Sequence, residues 1–283
     1  MFPIFRHALS RSRGQILGWG ISLALLGVYV VAFYNTISSQ KEQFEQLLKA
    51  YPPELMAFFG DMSAMFTPSG YLTVYFFSYM PLVLGIFAVL AGSGLVVSGE
   101  ESGTLDLILA YPVSRTALFF GRALAFIVET VLIFAVVWLG FIIAMIWSDL
   151  NVGAGPLALP FLSLLGVILF FGGLALLLSL VLPSRRMGAM AAGLVLVASY
   201  FVTALSRLSP EESLLARLSP IKYYQGGEAI SGLNWEWFIG LIGLGLIFTL
   251  LGWRRFERRD IRVGGEGGWQ VSLPWRKAVQ EGT

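Results

Sequence analysis

The chain has 283 residues, 57% of them hydrophobic and 13% charged, with a formal net charge of +2 and no cysteine. A soluble domain carries about 45–50% apolar and about 25% charged residues, so the apolar excess must face lipid. Disulfides, thiolate metal sites and cysteine nucleophiles are excluded, and the small net charge gives no reason to expect a nucleic-acid partner.

In chain order, residues 1–14 come first. Pro3–Gln15 (PIFRHALSRSRGQ) reads as a basic interfacial helix, and its polar breaks are unlike a secretory signal. Six apolar segments can each cross a hydrocarbon core of about 30 Å at 1.5 Å per residue. They are Gln15–Ile37, Tyr71–Val97, Ala117–Trp147, Leu157–Leu182, Gly188–Ser206 and Trp235–Trp253. The third is longer than a bilayer needs, so it tilts or projects. A backbone in lipid must satisfy its own hydrogen bonds, and no alternating ten-residue pattern suggests a barrel. The expected fold is therefore an all-α polytopic membrane protein, with a six-helix transmembrane domain over 15–253 and a basic tail over 254–283.

Two connections are more than turns. Between the first two spans, Phe44, Leu47, Leu48 and Tyr51 recur at i, i+3, i+4 and i+7, an amphipathic helix stopped by Pro52-Pro53. Before the last span, Ser209-Pro210-Glu211-Glu212 reads as a helix start, and Gly226-Gly227 and Gly232 as breakers. Both pieces are expected at the outer leaflet. The glycines of Gly264–Gly268 lack the flanking strand, helix and lysine of a phosphate loop and read as a linker to Trp269–Thr283.

Lysine and arginine set the orientation. With the N-terminus inside, the inner segments hold fourteen: Arg6, Arg11, Arg13, Arg115, Arg122, Arg185, Arg186, Arg254, Arg255, Arg258, Arg259, Arg262, Arg276 and Lys277. The outer segments hold five: Lys41, Lys49, Arg207, Arg217 and Lys222. The expected topology is N-in and C-in.

This topology puts Gly99–Arg115, GEESGTLDLILAYPVSR, on the inner side between the second and third spans. Ser102 or Thr104 can cap a short helix, and Glu100 and Glu101 lie where the helix dipole favours negative charge. Leu105, Ile108 and Leu109 share one face, Leu107 and Tyr111 lie elsewhere, and Asp106 is the only charge on the helix. Pro112 stops it, and Ser114 can cap the next span. A plain turn would take about 2–8 polar residues. This segment is longer and apolar on more than one side, so one side can rest on the protein while the other requires a partner.

The stretch, with Leu118 and Gly121-Arg122, resembles the signature of the ATP-binding-cassette (ABC) type-2 transporter permeases, whose fold is of the type V exporter kind. The family pattern runs roughly Glu-Glu-x-x-Gly-Thr-Leu-Glu-Leu-Leu-Leu-(x)-x-Pro-Val-Ser-Arg, followed by Gly-Lys. Here one residue fewer separates the acids from Gly103, Asp106 stands for Glu, and Arg122 stands for Lys. LSPIKYYQGGEAISG before the last span is similar to the family's outer re-entrant region.

The resemblance implies that 102–111 is a coupling helix docking on a separate ATPase through Glu100, Glu101, Gly103, Thr104, Leu105, Asp106, Leu109, Tyr111, Pro112 and Arg115. It implies two permeases, identical or paralogous, and two ATPases that hold the ATP and magnesium. It also implies export by alternating access, of drugs, ions, lipid-linked glycans or other amphiphiles, across a prokaryotic plasma membrane. The chain has no Gly-x-x-x-x-Gly-Lys-[Ser/Thr] phosphate loop of its own, so it is expected to be no enzyme and to carry no cofactor.

Other residues leave alternatives open. Glu129 is the only carboxylate well inside a span; it either lines a cavity or gate, or pairs internally near the inner leaflet with Arg122, two turns away, or another basic residue. Gly188, Ala192 and Gly193, with Ser199 further along, mark either a subunit contact or packing within the chain. Met56, Met62 and Met65 read as apolar packing. The single histidine, His7, cannot build a metal site or a triad alone. A secondary transporter without an ATPase is the alternative function. It would need paired broken helices and matching buried ion-binding groups, and Glu129 has no counterpart in the second half.

Overall fold

In the computed structural model, residues 1–40, 66–111, 113–206 and 214–259 are described. The Phe44–Tyr51 helix, the methionine cluster, the Ser209–Glu212 start and the Gly264–Thr283 tail lie outside the described residues. All regular structure among the described residues is helical. Helix α1 (Phe2–Arg11) is followed after Ser12 by α2 (Arg13–Ser39), the first span. The second span comprises α3 (Pro68–Leu72), a π turn (Thr73–Phe77) and α4 (Met80–Gly94). Two short helices follow, α5 (Val97–Glu101) and α6 (Thr104–Leu109). The remaining spans are α7 (Arg115–Met145), α8 (Ala154–Val181), α9 (Arg185–Ser206) and α11 (Trp235–Arg258). Between the last two lie α10 (Leu214–Leu218) and two 3-10 turns, Pro220–Tyr223 and Gly226–Ser231.

Five helices are long and apolar enough to cross a membrane, and the second span makes a sixth as a broken pair bent by 43°. The continuous Tyr71–Val97 helix expected from hydropathy is thus corrected. The cause lies in the sequence: Pro81 has no N–H to offer the carbonyl four residues back, at Phe77. The Tyr224 hydroxyl donates to that carbonyl instead, at 3.0 Å. The Pro68–Phe77 part is also anchored to α2, where the Tyr71 hydroxyl donates to the Val30 carbonyl at 2.7 Å.

Helix α8 is apolar all round, the pattern of a helix buried on every side, and it packs against α4, α9 and α11. Its Gly172-Gly173 pair makes two of these crossings possible. A Cβ on Gly92 of α4 would stand 2.3 Å from the Gly172 carbonyl oxygen, and one on Gly173 would stand 2.5 Å from that of Gly245 in α11. Without a hydrophobic drive between helices in lipid, such close backbone approach is a main source of association. A second unit pairs α2 with α7, and α1 lies along α7 with Ile4 over Gly121.

At the end of the bundle away from α1, the rings of Phe76, Phe77, Phe141 and Phe161 pack with centroids 4.8–6.4 Å apart. The turn Gly226–Ser231 packs against α8 and α3 through its buried Gly226, Gly227 and Ala229, and Gly226-Gly227 begin a tight 3-10 turn. Phe76, Phe77 and Phe171 are fully buried core residues, and nothing in their placement offers them to a solute.

Candidate docking helix and the cavity beside it

The chain leaves the second span through α5 and reverses at Gly103, whose φ of +66° is in the left-handed region that favours glycine. The hydroxyls of Ser102 and Thr104 lie 2.9 Å apart and both reach the Gly99 carbonyl at 3.3 Å. They thus close the end of α5, where sequence reasoning had them capping α6. Leu105 is wholly buried in a small core with Val96, Val97, Leu118, Phe119, Leu176, Leu180 and Phe256, and this seats α6 on the bundle. Tyr111, two residues beyond its end, is 71% exposed. Ser114 caps α7 as expected, its hydroxyl accepting from the Ala117 N–H at 3.2 Å.

The flanks of α6 are clasped to distant helices. Glu100 is 3% exposed and forms an ion pair with Arg259, at the end of α11. Arg259 also donates to the Leu180 carbonyl at 2.8 Å, and the Arg259 carbonyl accepts from Arg115 at 2.7 Å. Thr116 donates to Glu257, and Glu101 accepts the backbone N–H of Arg185 at 3.2 Å. The ends of α8, α9 and α11 therefore meet both sides of the α5–α6 segment.

Beside α6 a partly open cavity of about 960 Å³ runs under α1. Its wall includes His7, Arg11, Ser12, Thr104, Ile108, Arg122, Glu129 and Arg185 among apolar side chains of α4 and α7. Arg122 donates to the Leu95 carbonyl at 2.9 Å and Arg185 to that of Leu90 at 3.3 Å, so both guanidiniums lean on the end of α4. Glu129 is 4% exposed, and its Oε1 has no hydrogen-bond partner. No ion pair joins Glu129 to Arg122 among the described residues, and Glu129 stands on the cavity wall.

A family model described as ABC-2 family transporter protein matches residues 2–261, nearly the whole chain. The chain belongs to the ABC-2 transporter family. No curated protein matches it. As an ABC-2 family membrane protein it is the permease component of an ABC transporter, a membrane subunit of several apolar helices.

Within this ABC-2 permease the residues singled out from sequence divide into three sets. Gly103, Thr104 and Tyr111 lie on the accessible side of the segment, and Glu101 is exposed beside Arg185. Glu100 and Leu105 face the protein, because the acid has a buried partner and the leucine a core to fill. Arg115 is bound to the end of α11. Asp106 and Leu109 are described by their helical backbone alone, and Pro112 lies outside the described residues.

On α9, Gly188 and Ala192 pack within the chain. A Cβ on Gly188 would stand 2.5 Å from the Ser179 Cα, and Ala192 is fully buried. Only Gly193 of the three has open space beside it. The close-approach glycines Gly92, Gly172, Gly173 and Gly245 went unnoticed in the sequence, as did the pairing of Arg259, whose partner is 159 residues away.

Proposed function

We propose that the chain is the permease subunit of an ATP-driven exporter, with a separate ATPase docked on α6. The observation that carries this reading is α6 itself. It is a six-residue helix outside the spans, seated by one buried leucine, with both flanks clasped to the ends of other spans. A push on such a helix is delivered to α7, α9 and α11 together. This is what coupling an ATPase stroke to a transmembrane cavity requires, since coupling needs an element whose position both sites bias.

In this reading the α1–α6 end faces the cytoplasm, in accord with the basic residues gathered there. Two permeases, identical or paralogous, and two ATPases assemble in the plasma membrane of a prokaryote. Closure of the ATPases on ATP, with magnesium held by those subunits, turns the cavity between the permeases outward. The chain supplies no phosphate-binding loop, so nucleotide chemistry belongs to the partner.

The test is the double substitution Asp106→Lys with Leu109→Asp, which reverses charge and removes an apolar group on α6 while sparing Leu105. The expected result is a protein that inserts normally but no longer co-purifies with its ATPase. A complex that persists, with substrate-stimulated ATP hydrolysis unchanged, overturns docking on α6.

A further inference from the structure

The cavity under α1 is built for a ligand with two kinds of charge. Arg11, Arg122 and Arg185 line it, and no carboxylate among the described residues forms an ion pair with them. Arg122 and Arg185 each give a hydrogen bond to a carbonyl of α4. A guanidinium has five N–H donors in a planar fork, so most of their capacity is left for an anion, and the fork matches phosphate. On the same helix as Arg122, about 10 Å further along, Glu129 has a side-chain hydrogen bond with Ser12 and leaves one buried carboxylate oxygen, Oε1, without a donor. An unsatisfied buried charge is costly, and ammonium is the group that relieves it best.

The rest of the wall is mixed: Leu90, Ala91, Leu95 and Phe126 give it an apolar part, and His7, Ser12, Gln15, Ser98, Ser102 and Thr104 a polar one. The volume of about 960 Å³ falls within the range of about 300–1,000 Å³ in which proteins hold small ligands. One side of the cavity is formed by α1, a helix with no fully buried residue that carries Arg6, His7 and Arg11, of the kind that lies at headgroup level.

We propose that this cavity binds a zwitterionic phosphate–amine headgroup. The phosphate lies among Arg11, Arg122 and Arg185, and a primary ammonium donates to the Glu129 carboxylate. The apolar part of the wall and the position of α1, packed against the spans, favour a membrane lipid, phosphatidylethanolamine in chemistry, over a soluble phosphate–amine. The site lies within one chain, and occupying it requires neither an ATPase nor transport, so it stands or falls separately from docking on α6.

The test uses the full-length protein in nanodiscs of phosphatidylcholine containing a minor fraction of phosphatidylethanolamine, read by native mass spectrometry of retained lipid. The two lipids share the phosphate, but the quaternary ammonium of choline has no N–H to donate to Glu129. The expected result is a roughly tenfold preference for the ethanolamine lipid, the worth of one charge-assisted hydrogen bond. Glu129→Gln abolishes the preference, and Arg122→Gln lowers retention of both lipids.

Ala8→Trp, on the exposed side of the cavity, fills the space without touching the bundle core and also lowers retention if those variants prove unstable. Soluble phosphoethanolamine added as competitor identifies the source. Failure to displace the lipid supports a membrane ligand, and displacement that Glu129→Gln prevents supports the same site with a soluble one. Equal retention of the two lipids, or a preference unchanged in both Glu129→Gln and Ala8→Trp, overturns the proposal.

Discussion

Glu100 illustrates how a side chain changes meaning when its partner is distant. In the sequence it is the first of two acids ahead of a short helix, and the helix dipole is sufficient reason for it. In the fold it is nearly inaccessible and paired with Arg259, so its charge is spent inside the protein. Removing one partner of a buried pair leaves the other charge uncompensated, at about 3–5 kcal/mol. Glu100→Gln and Arg259→Gln should therefore each lower the thermal midpoint in detergent, and the double variant should lie well above the sum of the two losses. Strict additivity would show that the contact contributes nothing. The adjacent Glu101 is exposed, and nothing in the local pattern distinguishes the two. Burial was not legible there because it depends on a residue 159 positions away.

The elements themselves were legible to differing degrees. Length and hydropathy located all six spans, because lipid exposure imposes a constraint that acts on every residue of a segment. The break in the second span was written in the sequence at Pro81, but a hydropathy window averages over it. Its consequence can be tested by rescue. Tyr224→Phe deprives the Phe77 carbonyl of its donor, at about 1–3 kcal/mol for an unsatisfied buried group. Adding Pro81→Ala returns a backbone N–H to that position, so the double variant should recover part of the loss in a thermal melt. No recovery would mean that the bend is imposed by packing and not by the missing N–H. Helix α6 was legible as a helix, although it runs Thr104–Leu109 and not over the expected 102–111, whereas the cavity beside it was not. That space is enclosed by α1, α4, α7 and Arg185, which no local pattern brings together.

For the whole molecule, the arrangement has two ends of different character. One gathers α1, the α5–α6 segment and the arginines of α7, α9 and α11; the other is closed by a layer of phenylalanines and the 3-10 turns. The absence of cysteine allows orientation to be read directly from single substitutions. Tyr111→Cys and Ser231→Cys both lie at exposed positions. A membrane-impermeant maleimide should label Ser231→Cys in intact cells and Tyr111→Cys only in inverted vesicles; the opposite pattern would invert the topology. The bend in the second span gives this polarity a mechanical meaning. Its Pro68–Phe77 part is bolted to α2 by Tyr71 and to the capping turns by Tyr224, while α4 runs on beyond the joint to the clasp. In the proposed exporter such a span would serve as a jointed shaft: a pull on the basic end would swing α4 while the seal at the far end keeps its place, so opening one mouth would not breach the other.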